Sequence, residues 1–171
     1  MKIVLFLAGC LALLAAVIVV VGSLLPKRHT ASRSATFRAT PERLYALILG
    51  TQEWRPEVVH FTTISDNEGR ELQQETTRRG ETIAYEVSDR VPPLSLKRRI
   101  ATRNLPYSGT WTYLLQSRDG VTLVRITEDG EVTNPIFRFV SRFILGHTQT
   151  IDQYLHALGN AIGQKDIDIA G

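Results

Sequence analysis

The sequence predicts an α+β domain in which a curved antiparallel sheet of about six to seven strands wraps on one long C-terminal helix, with a transmembrane helix ahead of it. Three observations support that reading. Residues 3–25 are apolar and uncharged, residues 58–132 alternate in short runs broken by turn residues, and from Pro135 to Gly163 apolar side chains return every three or four positions.

As a helix, Ile3 to Leu25 spans roughly 35 Å, slightly more than the hydrocarbon core of a bilayer, and residues 1–26 read as an anchor. Leu7-Ala8-Gly9-Cys10 resembles a lipoprotein processing box, but only Ile3 to Leu7 separate it from Lys2, too few for a signal segment. Cleavage after Gly22 is the other alternative, set against an apolar run longer than such segments usually have. Lys27, Arg28, Arg33 and Arg38 follow the run while Lys2 and the amino terminus precede it, so the positive-inside tendency places the domain in the cytoplasm. Residues 27–33, polar and aperiodic, read as a tether, 34–165 as the domain and 166–171 as a tail. The net charge of +3, without a block of like charges, gives no reason to expect a nucleic-acid partner. Cys10 is the sole cysteine, so the domain carries neither a disulfide nor a cysteine metal site.

Within the domain, Ser34 to Ala39 alternates as a short first strand. Thr40-Pro41-Glu42 has the order of a helix start, with threonine as cap, proline first and an acid in the first turn. That helix holds Leu44, Tyr45, Leu47 and Ile48 and stops at Gly50. A short segment carrying Trp54 breaks at Pro56. Strands are expected at 58–65, 70–78, 81–90, 94–103, 109–117 and 121–132, with Arg79-Gly80 and Asp119-Gly120 as hairpin turns. Glu128-Asp129-Gly130-Glu131 in the last strand reads as a bulge or an edge. Asn134 caps and Pro135 opens the final helix, a rod of roughly 40 Å that ends at Gly163. A single rod cannot fill a strongly curled sheet, which leaves room for a cavity between the two.

Ser34-Ala35-Thr36-Phe37-Arg38-Ala39-Thr40-Pro41-Glu42-Arg43-Leu44-Tyr45, the following Trp54-Arg55-Pro56, the strand Gly109-Thr110-Trp111-Thr112-Tyr113 and the helix entry Asn134-Pro135-Ile136 together resemble the START-like, helix-grip superfamily (SRPBCC). That superfamily includes polyketide cyclase/dehydrase-type, lipid-transfer and birch-pollen-allergen-like proteins. The likeness covers roughly residues 33–163, and its motifs mark architecture more than chemistry. It implies a hydrophobic small molecule or lipid held between sheet and helix, and no shared catalytic signature. The expected function is therefore membrane-tethered binding or transfer of such a molecule. A cyclase/dehydrase-like enzyme acting on a hydrophobic substrate, or a ligand-free interaction module, is the alternative.

The residues themselves point to no catalytic group, no metal and no cofactor. His29, His60, His147 and His156 lack the spacing of a zinc helix, and no nucleophile elbow or phosphate-cradling glycine loop is present. Trp54, Tyr85, Trp111 and Tyr113 are candidates for a ligand pocket, since aromatic rings combine area with a polar edge; plain core packing explains them equally. Phe139 and Phe143 share that ambiguity, and His147 falls near the same stripe as a cavity-edge histidine. Arg98 is the exception, because alternation places it on the apolar face of its strand. Either it pairs with an acid such as Glu128, or it meets an anionic headgroup at the cavity mouth, or the register is off by one. Glu128, Asp129 and Glu131 read as a solvated turn rather than acid/base carboxylates, and Arg78, Arg79, Lys97, Arg99 and Arg103 as a basic sheet surface open to anionic lipids.

Overall fold

The structure, a computed structural model, describes residues 2–146 and 148–171. It opens with an apolar helix, α1 (Lys2–Leu24), and runs directly into the first strand, β1 (Arg28–Phe37). Thr40 caps α2 (Pro41–Leu49), its hydroxyl accepting from the Arg43 amide at 3.4 Å. A 3-10 turn at Gln52–Trp54 leads to β2 (Val58–Ser65), β3 (Glu71–Thr77), β4 (Thr82–Val91), β5 (Ser95–Ile100), β6 (Tyr107–Arg118) and β7 (Val121–Val132). The C-terminal segment comprises α3 (Pro135–Val140), a π-helical turn at Ser141–Leu145, α4 (Gln149–Ala161) and β8 (Ile169–Ala170). All strands pair antiparallel in one sheet of order β2-β3-β4-β5-β6-β7-β1-β8.

Alternation decides which face of each strand is buried. Ala31, Ala35 and Phe37 on β1, Leu96 on β5, Tyr113 and Leu115 on β6, and Val124 and Ile126 on β7 all face inward. Ile151, Tyr154, Leu155 and Leu158 of α4 meet them, joined by Leu44, Tyr45 and Ile48 of α2. The 3.6-residue period of α4 gives it this one covered stripe, and each of its four large side chains contributes about 1.5–3 kcal/mol before ordering entropy is subtracted.

Four features depart from the sequence reading. The long rod is broken at Gly146, whose φ of 74° and ψ of 157° leave helical space; periodicity continues across the break and so conceals it. The tether expected at 27–33 is mostly strand, because residues 28–33 pair with Glu131 through Ile126 of β7, and their polar outward side chains hid the alternation. Glu128 to Glu131 form neither bulge nor edge: β7 lies between β1 and β6 and pairs continuously with both. Residues 169 and 170 of the expected tail add an eighth strand, against Ala35 and Ser34.

Leu155, with no exposed surface, tests the grip of α4 on the sheet. Leu155→Ala lowers the unfolding free energy by about 2–5 kcal/mol in a urea titration, whereas Asn160→Ala, on the exposed side of the same helix, changes it by no more than about 0.5 kcal/mol.

Candidate ligand-binding cavity

The part of the concave sheet face that α4 does not cover encloses a cavity of about 700 Å³, within the range of small-molecule sites. Its sheet wall carries Ile83 and Tyr85 of β4, Arg98 and Ile100 of β5, Trp111 and Tyr113 of β6, and Glu128 and Val132 of β7. Phe137, Ser141, Gly146, Gln149 and Gln153 close it from the C-terminal segment. Residues from both sides of the break at Gly146 line the space and roof it.

One end is ionic. Glu75 of β3 accepts from Arg98 at 2.5 Å and from Arg55 at 2.9 Å, and Arg55 reaches Glu57 at 2.7 Å. The Arg98 and Glu75 side chains are only 4% and 3% exposed, so this pair is stable only as a pair. Burial works against the charge on Arg98, yet the Glu75 carboxylate outweighs it and holds the guanidinium above its ordinary range. Arg98 also lies over the Tyr85 ring at 4.5 Å, and Arg55 over Tyr154 at 5.3 Å. Burial pushes the phenols of Tyr85, Tyr113 and Tyr154 upward, so they remain neutral hydroxyls at physiological pH.

Glu128 lies on the same wall. Burial raises its pKa, partly offset by a hydrogen bond from the Trp111 indole, and His29 Nε2 stands 3.8 Å away. The absence of a side chain at Gly130 leaves room for the His29 ring, which a Cβ there would overlap.

Of the residues singled out from sequence, Tyr85, Arg98, Trp111 and Tyr113 lie on this wall. Trp54 does not. Its indole donates to the Leu47 carbonyl at 3.1 Å and its ring meets Tyr154 edge-on, which makes it core. Phe139 and Phe143 stack on each other at 4.9 Å away from the lining, and Phe143 is 59% exposed, because the π turn rotates the phase of the expected stripe. His147 falls outside the described residues. The strand register at Arg98 follows the alternation, and its acid partner is Glu75, not Glu128.

Sequence reasoning passed over Glu75, Arg55, His29 and Phe137. The signal for Glu75 was Arg98 itself, since an inward arginine requires an inward acid, and Glu75 shares strand parity with buried Gln73.

Glu75→Gln leaves two guanidiniums without their shared carboxylate and costs about 3–5 kcal/mol in denaturant unfolding. Glu128 acts in the opposite sense. Its folded pKa is raised, so its contribution to stability is greatest below the ordinary carboxylate value and falls as pH rises through the folded value. Glu128→Gln therefore raises the melting temperature at pH 8 and leaves it unchanged at pH 4, measured by thermal scans across that range.

Neither a family model nor a curated protein sequence matches the chain. Solved structures do. A START superfamily protein from Mycobacterium smegmatis superposes with a TM-score of 0.61 at 14% identity, over 81% of this chain and 99% of that one. Ginseng major latex-like protein 151 from Panax ginseng gives 0.60 at 12%, over 80% and 96%. Norcoclaurine synthase from Thalictrum flavum gives 0.57 at 9%, over 79% and 86%. Identities this low speak to architecture alone, and with the sheet, the covering helix and the cavity between them, the chain has the helix-grip fold of the START superfamily.

Proposed function

We propose that the protein binds a lipid or similar amphipathic molecule in the cavity and holds it beside a membrane, without chemical change. The observation that carries this reading is the composition of the walls: Ile83, Ile100, Val132, Phe137 and the aromatic rings supply apolar area, while charged groups around Arg98 and Arg55, and Glu128 with His29, supply polar contacts. A molecule with a hydrocarbon or ring body and a polar end matches both, and such molecules concentrate in bilayers. Helix α1 is long and apolar enough to span one, and anchored there it keeps the cavity near the phase where its guest dissolves. Lys27, Arg28, Arg33 and Arg38 after α1, against Lys2 and the amino terminus before it, support a cytoplasmic position for the domain.

A second reading is favoured by one pair of groups. Glu128, with its raised pKa, and His29 at 3.8 Å are an acid and a base on the wall of the same cavity, as a cyclase- or dehydrase-like reaction on a hydrophobic substrate requires. Norcoclaurine synthase, one of the structural neighbours, is an enzyme by name and was solved with dopamine and hydroxybenzaldehyde.

Native mass spectrometry of the chain released from mild detergent tests the binding reading. One retained lipid per chain is expected, and Ile83→Trp or Ile100→Trp, which fill the space, reduce its occupancy at least about tenfold. An empty wild-type cavity, or occupancy indifferent to both variants, overturns it. Recovery of a chemically altered guest, with the alteration lost in Glu128→Gln while the guest is still bound, supports the enzyme reading instead.

A further inference from the structure

Helix α1 ends against α3 with no flexible spacer between them. Gly22, in its last turns, is buried where any Cβ would overlap the Pro135 carbonyl oxygen. Arg138, one turn along α3 and itself 7% exposed, turns its guanidinium back to the end of α1 and donates to the carbonyls of Leu25 at 2.8 Å and Ser23 at 3.4 Å. A cation on the free carbonyls of a helix C-terminus satisfies those acceptors and the helix dipole together. Removal of α1 would leave this buried guanidinium with one long contact, to the Thr133 carbonyl at 3.5 Å.

Around that seat the C-terminal segment is apolar and uncovered. Ile136 and Phe137 of α3 are about half exposed, and Phe143 and Ile144 of the π turn are 59% and 70% exposed. Exposed Lys27 and Arg142 flank them. Four large apolar side chains displayed together at the foot of an uncovered apolar helix match the profile of a surface immersed in the outer hydrocarbon, with its cations at the phosphates.

We infer that α1 is retained as a fixed strut, and that the face formed by Ile136, Phe137, Phe143 and Ile144 is embedded in the surface of the same bilayer that α1 spans. The patch is continuous with α1 and bears cations at its margin, which selects a lipid surface over a protein partner. Phe137 and Ser141 belong both to this segment and to the lining, so a guest in the cavity would lie against the embedded face. This last point rests on the binding function proposed above, whereas the embedding itself does not.

The test uses the full chain in phosphatidylcholine vesicles, with Cys10→Ser removing the native thiol and an environment-sensitive fluorophore attached at Ile144→Cys. Asp119→Cys, on the β6–β7 turn at the opposite end of those strands, is the reference. The label at 144 is expected to brighten at least twofold on reconstitution and to be quenched by doxyl groups on the lipid chains, while the label at 119 does neither. Gly22→Leu, which unseats α1 without touching the domain core, should at least halve the quenching at 144. A label at 144 that stays as aqueous as the one at 119, or quenching untouched by Gly22→Leu, overturns the inference. Embedding together with an empty cavity in mass spectrometry sustains it and overturns the binding function; a retained lipid with an aqueous label does the reverse.

Discussion

The ring of Tyr154 is where the helix, the sheet and the ionic cluster meet. It is 2% exposed, stands edge-on to Trp54 at 5.2 Å and Trp111 at 5.6 Å, lies 5.6 Å from Tyr113, and receives the Arg55 guanidinium at 5.3 Å. Its hydroxyl bonds to Gln52, which satisfies three carbonyls at the end of α2. One helical side chain thus locks α4 onto β6, fixes the turn after α2 and sets the position of Arg55 beside Glu75. On one side of this ring the concave face is packed shut, and on the other it is open. The boundary between core and cavity runs through it.

The open side carries buried charge. Glu75, Arg98 and Arg55 share contacts at 2.5 and 2.9 Å, and their desolvation is tolerated because each finds a partner of opposite sign. An apolar side chain at any of these positions would invite closure onto α4. The network also accounts for the neutral phenols around it: burial raises Tyr85 and Tyr113, and the nearby guanidiniums only temper that effect.

Architecture was legible in the sequence because two periods, about 2 and 3.6, separate strand from helix without help from neighbours. The strands from Val58 to Val132 and the helix starts at Pro41 and Pro135 all rest on such local signals. The site was legible only in part. Tyr85, Arg98, Trp111 and Tyr113 follow from strand parity, but Glu75 sits in Glu71-Leu72-Gln73-Gln74-Glu75, where its own face, shared with Glu71 and Gln73, is polar and the one apolar residue, Leu72, lies on the other. The π turn and Gly146 shift the phase of a pattern that looked unbroken, which misplaced Phe139 and Phe143 and hid Phe137. Residues 28–33 looked like linker because their pairing partner lies about a hundred positions away in the chain.

The shortness of the junction between α1 and β1 carries a mechanical consequence. Only residues 25–27 lie between them, a reach of about 10 Å when fully extended. With its first helix inserted, the domain cannot shuttle across an aqueous gap to a second membrane. A molecule held in its cavity would stay within that reach of the bilayer, so the domain would work as a stationary receptacle and not as a ferry.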